Sequence, residues 1–150
     1  GGAELAMVCD FVYTTDSAQW GFPEIKLGFY PPVACAGLAA LVGVKRAADL
    51  ILSGRSISGS EAAQVGLATG ALPESQLESS VEDCAQGLVK LSPAALAITK
   101  KAFYAWDAMH FDKGLAKAEN ICFEELMHTE DAVEGVNAFL EKREPQWKGK

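Results

Sequence analysis

Two glutamates near the start of the chain have the residue type and the surroundings for proton-transfer chemistry. Glu4 follows Gly1-Gly2-Ala3, and Glu24 lies in Gly-Phe-Pro-Glu-Ile-Lys-Leu-Gly. A charged carboxylate among apolar residues costs free energy unless it has a partner or a function. Two such groups can hold different protonation states and divide the work of acid and base. A helix that starts after Gly1-Gly2 has free N–H groups that can bind an oxyanion. The two carboxylates and this oxyanion site together predict chemistry on a carbonyl compound.

The bulk composition is typical of a soluble globular protein. The chain has 150 residues, 49% of them hydrophobic and 22% charged, which allows one ordinary core or two small subdomains. The net charge of −7 argues against a nucleic acid partner, because that requires a broad basic face. No apolar run reaches the roughly 18 residues that cross a bilayer, so we expect no membrane partner.

The first residues lack an initiator methionine, a basic leader and a signal peptide. Because the chain opens directly on a motif, we expect it to be part of a longer polypeptide. We expect a location in the bacterial cytoplasm, with the mitochondrial matrix left open as an alternative.

The cysteines and histidines do not suggest a disulfide framework or a metal site. The cysteines are widely spaced without a Cys-x-x-Cys pair, and we expect them to be reduced and mostly buried. His110 and His128 are too few and too far apart to hold a metal. The four cysteines are Cys9, Cys35, Cys84 and Cys122.

The elements that must position the glutamates are short and are separated by glycine and proline. Pro32 suits the first turn of a helix, Gly54 suits a helix C-terminal cap, and Ser58 precedes Glu61 at the spacing of a capping box. Periodicity predicts helices over 4–9, 33–42 and 44–52, another from Ser58 to about residue 66, and strands over 11–15, 18–21 and 67–72.

The second half of the chain is predicted to be helical throughout. Ser92-Pro93 and Thr129 are helix-start signals. The sequence therefore divides into an α/β portion, residues 1–72, and a helical portion, residues 73–150. Large apolar side chains in the helical portion either meet another subunit or close a local core, and both alternatives stay open. The predicted helices are 75–91, 92–109, 112–128 and 129–143, and the apolar side chains are Phe103, Trp106, Met109, Phe111, Phe123 and Met127.

Four segments, in the same order along the chain, resemble the crotonase superfamily of enoyl-CoA hydratases and isomerases. Gly-Gly-Ala-Glu-Leu-Ala-Met-Val-Cys-Asp, starting at Gly1, is similar to the segment with the second oxyanion donor and the first catalytic glutamate. The segment around Glu24 is similar to the one that carries the second glutamate. Leu-Ser-Gly-Arg-Ser-Ile-Ser at 52–58, followed by Glu-Ala-Ala and Gly-Leu, and the tail 131–143 also match the family.

This resemblance implies a fold and a chemistry. The fold is an α/β fold, the C-terminal part of a crotonase spiral of ββα units, followed by a helical trimerisation region. Gly1, or its neighbour Gly2, donates a backbone N–H to the thioester oxygen of an acyl-CoA. Glu4 and Glu24 hold a water and transfer protons, and which of them is the acid is left open. No metal or redox cofactor is implied, and CoA enters as part of the substrate.

One position departs from the family pattern. Pro32 stands where hydratases of the family usually have a glycine, and proline has no N–H to donate to water or substrate. The Pro-Pro-Val-Ala sequence from Pro31 is more similar to the hydratases that act on cyclic dienoyl-CoA compounds. The departure puts ordinary straight-chain substrates in doubt.

Three further residues match family positions that contact the CoA nucleotide, often across a subunit boundary. Phe123 and Phe139 are expected to pack against adenine, or to be plain core residues. Lys142 is expected to pair with the 3′-phosphate, or to be a solvated cation at a helix end. The resemblance also implies a homo-oligomer, either a trimer or a dimer of trimers.

The sequence leaves three functional hypotheses. The parent protein is expected to be an enoyl-CoA hydratase, a lyase that adds water across an α,β-unsaturated CoA thioester. The alternatives within the family are cyclic dienoyl-CoA hydration and double-bond isomerisation. The third hypothesis belongs to another class, in which the chain is a non-catalytic oligomerising fragment. We expect the isolated chain to be inactive, because the family's first oxyanion donor lies upstream of the matching segments.

Overall fold

The four strands are short and pair in two small sheets. A computed structural model describes residues 1–148, with the side chains at 94, 103, 105–114, 117 and 118 excepted. Strand β1 pairs in parallel with β4, and β2 pairs antiparallel with β3. The indole N–H of Trp20 donates to the Thr14 hydroxyl over 3.1 Å and joins the two sheets. The strands are β1 (Tyr13–Thr15), β2 (Gln19–Gly21), β3 (Ser56–Ser58) and β4 (Gly70–Leu72).

Helices make up most of the described chain and begin at the signals that the sequence contains. The Ser58, Ser92 and Thr129 hydroxyls each accept a backbone N–H at a helix start, so these three caps are confirmed. Gly54 ends its helix in the left-handed conformation, with φ of 60°. The helices are α1 (Gly2–Met7), α2 (Pro32–Val42), α3 (Val44–Ser53), α4 (Gly59–Gln64), α5 (Glu74–Val89), α6 (Pro93–Glu124) and α7 (Glu130–Glu141), with 3₁₀ helices at Pro23–Leu27 and Leu126–His128.

Two predicted elements differ from the structure. The expected helix break near residue 110 is wrong, because α6 is one helix of 32 residues and positions 110 and 111 contain neither glycine nor proline. The strand expected over 67–72 is shortened to Gly70–Leu72. Leu67 and Ala68 are instead buried in a turn, with both N–H groups donating to the carbonyl of Ala62.

The main buried core lies under α2 and α3. Phe22 and Leu38 are among its most buried side chains. Its other members come from β2, β3, α4 and the turn before β4, and the cluster comprises Trp20, Phe22, Ala34, Leu38, Ala47, Leu50, Ile51, Ile57, Ala62, Leu67 and Ala68. The predicted apolar residues Phe103, Trp106, Met109 and Phe111 have side chains outside the described residues. Within the described part of the chain, no helix is long and apolar enough to span a membrane.

Helix α7 packs directly onto the 3₁₀ helix Pro23–Leu27. Gly135 allows this approach, because a Cβ there would overlap the carbonyl oxygen of Leu27. The Trp147 ring lies against the same place, 3.1 Å from where a Cβ of Gly28 would stand. The segment after α7 folds back along it, since the Gln146 N–H donates to Glu134 over 2.8 Å. Helix α7 therefore supports the short element that carries Glu24.

Replacing Gly135 by alanine is expected to destabilise the protein. The added methyl group forces α7 away from Leu27, and overpacking of this kind costs about 1–3 kcal/mol. Urea unfolding followed by circular dichroism measures the loss in free energy of unfolding. Gly87→Ala is the matched control, because a Cβ there meets no atom within 4 Å and alanine favours a helix by about 0.5–1 kcal/mol. Equal effects of the two substitutions would contradict the proposed packing.

Candidate active site

Glu4 lies in the first turn of α1 and reaches the start of α2. Its side chain is 18% exposed, and its Oε1 accepts the Ala34 backbone N–H over 3.3 Å. The backbone nitrogen of Gly1 lies 3.9 Å from the other oxygen, Oε2. The predicted oxyanion donor and the first predicted carboxylate are therefore neighbours.

Gly1 and Gly2 are exposed at the start of α1. A Cβ at either position would meet no atom within 4 Å. No packing contact within the described residues thus accounts for glycine at these two positions. An unobstructed backbone N–H is what a bound ligand requires.

Glu24 is held by the 3₁₀ helix Pro23–Leu27. The Phe29 N–H donates to the Glu24 carbonyl over 3.0 Å, and Gly28 closes the turn in the left-handed conformation, with φ of 73°. The carboxylate oxygen Oε2 is buried and has no hydrogen-bond partner among the described residues. A buried polar atom left without a partner costs about 1–3 kcal/mol. Such an atom in a candidate site suits a bound proton donor such as water.

The first turn of α2 lies beside Glu4 and has few N–H groups that are free to donate to a ligand. Pro31 is fully buried, and Pro32 occupies the first helical position, as predicted. Proline donates nothing, and the Ala34 N–H is occupied by Glu4. The Val33 N–H makes no hydrogen bond among the described residues. One donor therefore remains at this helix start.

The thiol of Cys35 lies within electrostatic range of both carboxylates. Partial loss of hydration raises the pKa of Cys35, and the negative charges of Glu4 and Glu24 raise it further. Both glutamates therefore act on one sulfur in the first turn of α2. Cys35 was predicted to be a buried small hydrophobe, but it is exposed, as is Cys9, so that prediction is wrong for these two.

Tyr30 connects this region to the end of α6. Burial raises the pKa of the Tyr30 hydroxyl, and the negative forms of Cys122, Cys35 and Glu125 raise it further. Sequence reasoning missed both Tyr30 and Cys35. No periodic signal identifies them, because their neighbours come from distant parts of the chain.

Phe139 and Lys142, two of the three predicted nucleotide contacts, line one cavity of about 290 Å³. Lys26 and Arg143 line it as well, beside the backbone of Leu27 and Gly135. Lys142 ends α7 in the left-handed conformation, with φ of 54°. Sequence reasoning missed Lys26, although it lies two residues after Glu24 in the same motif.

Phe123, the third predicted contact, is not brought to this cavity. It lies in the last turn of α6 and is 61% exposed. Within the described part of the chain, no group of three His, Cys, Asp or Glu side chains is arranged to hold a metal ion.

Comparison with known proteins identifies the family. The family model described as enoyl-CoA hydratase/isomerase matches residues 1–150. The chain belongs to the enoyl-CoA hydratase/isomerase family. The predicted resemblance to the crotonase superfamily is thereby confirmed.

Individual members of the family align with nearly the whole chain. It is 39% identical to a probable enoyl-CoA hydratase of Bacillus subtilis, covering 99% of this chain and 58% of that protein. It is 35% identical to a probable mitochondrial enoyl-CoA hydratase of Dictyostelium discoideum, covering 100% and 54%. A carnitinyl-CoA hydratase from Mycobacterium avium superposes with a TM-score of 0.85 at 28% identity, covering 100% and 59%. The chain thus spans somewhat more than half the length of these relatives.

Removing either carboxylate is expected to lower the pKa of Cys35. A negative charge nearby disfavours the thiolate, so Glu4→Gln or Glu24→Gln increases the thiolate fraction at a given pH. Iodoacetamide labelling at several pH values, with the Cys35 peptide quantified by mass spectrometry, measures the change. Glu74→Gln, at the exposed start of α5, is the control and should leave the profile unchanged. An identical profile in all four proteins would show that the carboxylates do not meet at Cys35.

Proposed function

We propose that residues 1–150 form the acid/base part of an enoyl-CoA hydratase, within the spiral of the crotonase fold. The observation that carries the proposal is that Glu4 accepts a hydrogen bond from the first turn of α2 and that Cys35 in the same turn is within electrostatic range of both Glu4 and Glu24. The unpartnered, buried Oε2 of Glu24 supports a bound water there. Membership of the enoyl-CoA hydratase/isomerase family supports an acyl-CoA thioester as the substrate.

The proposed reaction adds water across the double bond next to the thioester carbonyl. One carboxylate accepts a proton from the water as its oxygen bonds to the β-carbon. The other carboxyl group donates a proton to the α-carbon, so that the elements of water are added overall. Which of the two glutamates is the base stays open. The proton transfers balance without a metal or a redox cofactor.

The backbone N–H of Gly1, or of Gly2, is proposed to bind the thioester oxygen. Negative charge develops on this oxygen as the enolate forms, and a positioned donor stabilises it most in the transition state. The position of Gly1 beside Glu4 supports this role. In other enzymes, one donor of this kind is worth about 3 kcal/mol.

The proline at position 32 favours a second candidate, the hydration of a cyclic dienoyl-CoA. Pro32 contributes no N–H and Ala34 donates to Glu4, which leaves Val33 at the start of α2. A pocket with fewer donors and a rigid proline suits a bulky apolar acyl group. Rates with crotonyl-CoA and with a cyclic dienoyl-CoA thioester discriminate the candidates, and double-bond isomerisation is detected in the same assays.

Glu4→Gln and Glu24→Gln are each expected to reduce hydration by about 100-fold or more, the usual contribution of a positioned acid or base. Loss of absorbance of the conjugated thioester measures the rate. Glu78→Gln on α5, which is exposed, is the matched control. A rate unchanged by Glu24→Gln would contradict the two-carboxylate mechanism.

The assay is run on the 150-residue chain and on a chimera in which this chain replaces the matched part of the Bacillus subtilis relative. Activity in the chimera alone would support the hypothesis that the isolated chain is non-catalytic. Inactivity of a well-folded chimera would contradict the hydratase proposal.

We propose further that the helical portion associates with copies of itself. Helices α5 to α7 expose large apolar side chains, among them Val89, Ile98 and Leu140, at 75%, 69% and 70%. Large apolar side chains exposed on three successive helices favour association, since monomers rarely expose large contiguous apolar patches. The family resemblance supports a trimer or a dimer of trimers.

Ile98→Glu is expected to weaken this association, because the new charge loses hydration in an apolar interface. Light scattering with size exclusion measures the mass, and Gln76→Glu on α5 is the control. A clean monomer for the unmodified chain would contradict the assembly proposal.

A further inference from the structure

A second cavity lies where the C-terminal ends of α1 and α2 meet. The candidate active site is built at the other end of both helices, where Glu4 accepts the Ala34 N–H. The second cavity is lined by residues near the helix ends, among them Met7 of α1 and Leu41 of α2, and we call it the α1/α2 cavity. Its volume of about 550 Å³ lies within the usual range of small-molecule sites, about 300–1,000 Å³.

The end of α2 contributes backbone acceptors to this cavity. The last carbonyl groups of a helix have no partner inside it, and the helix dipole gives this end a partial negative charge. Among the described residues, no backbone N–H donates to the carbonyls of Ala40 or Leu41. The Leu41 carbonyl oxygen lies 3.4 Å from where a Cβ of Gly66 would stand, and Gly66 and Leu41 both line the cavity. The wall therefore contains a carbonyl at the negative end of a helix.

Asp10 adds a full negative charge to the wall of the cavity. The Tyr104 hydroxyl donates to its Oδ1 over 2.6 Å, and the Lys100 ammonium donates to its Oδ2. The bond from Lys100, followed by the bond from Tyr104, lowers the pKa of Asp10, so the carboxylate stays ionised at neutral pH. Lys100 does not line the cavity among the described residues, and its side chain is 63% exposed. The counter-ion of Asp10 therefore lies largely in solvent.

Most of the remaining wall is aliphatic. Met7, Val12 and Leu67 line it, and such side chains favour contact with a hydrocarbon chain over contact with water. None of the described residues that line the cavity is Lys, Arg or His. An anion bound there would face the carboxylate of Asp10 and the negative end of α2 without a cation in the wall. The cavity thus has the chemistry for a small hydrocarbon that carries a positive charge.

We propose that the α1/α2 cavity binds a small primary alkylamine, with its ammonium group at the end of α2 beside Asp10 and its hydrocarbon chain against the aliphatic wall. An ammonium group has three N–H donors and no acceptor, so it matches a wall that contains a backbone carbonyl and a carboxylate. Hydrogen bonds from a charged donor to a carboxylate are about twice as strong as those between neutral groups. The proposed ligand contacts neither Glu4 nor Glu24, and the inference therefore does not depend on the hydratase proposal.

Amide NMR spectra of the full chain, titrated with hexylamine, test the binding. The amide signals of Gly66 and Thr69, two residues that line the cavity, are expected to shift, while that of Gly28 stays unchanged. Hexan-1-ol has a hydrocarbon chain of the same length without the charge, and it is expected to bind about tenfold more weakly. Equal affinity for the two compounds, or no shift at Gly66 and Thr69 with hexylamine, would overturn the proposal.

Two substitutions test the position of the ligand in the same titration. Ala40→Phe adds a ring at the wall of the cavity and is expected to abolish hexylamine binding. Ala39→Phe, at the exposed neighbouring position outside the cavity, is its matched control. Lys100→Gln removes the cation that competes for Asp10 and is expected to tighten binding about threefold, whereas Lys45→Gln on α3 leaves it unchanged. Equal binding by the two phenylalanine variants, or no gain with Lys100→Gln, would overturn the proposed site.

Discussion

The close approach of Gly135 to the carbonyl of Leu27 is the constraint on which the arrangement of this site depends. It places α7 against a helix of only five residues, whose other side packs on the end of α3 at Gly54. A short 3₁₀ helix has poor hydrogen-bond geometry and gains little stability alone. Its conformation therefore depends on packing, and Gly135 allows the close packing of α7 because it has no side chain.

The two glutamates both act on the charge of Cys35 in the first turn of α2, and they are held by different means. Glu4 is fixed by a hydrogen bond from the Ala34 N–H to its side chain, whereas Glu24 is held through its backbone carbonyl, which accepts the Phe29 N–H. The carboxylate of Glu24 therefore keeps a buried oxygen that no protein donor satisfies. Such an arrangement leaves hydrogen-bonding capacity for a ligand, at a cost in stability that α7 offsets by its packing.

Sequence alone predicted the local features well and the tertiary ones poorly. Ser58, Ser92 and Thr129 cap helices through bonds within three residues, so a local pattern identifies them. The surroundings of Lys26 and Cys35 include residues far along the chain, from α7 and from α1, and no local pattern reveals such neighbours. The family motifs identified Glu4 and Glu24 as a pair, but the turn at which they meet is a property of the fold.

The pairing of the strands has a consequence for how this site forms. Thr15 pairs with Leu72, and Gln19 pairs with Ser58, so each small sheet closes a loop of several dozen residues. Loop closure of this kind is entropically costly before its contacts form, and it slows folding. The chain between Glu4 and Glu24, which contains β1 and β2, therefore lacks its strand partners until residues up to 72 have been added. A nascent chain would thus carry both acidic groups before the strands that lie between them had paired.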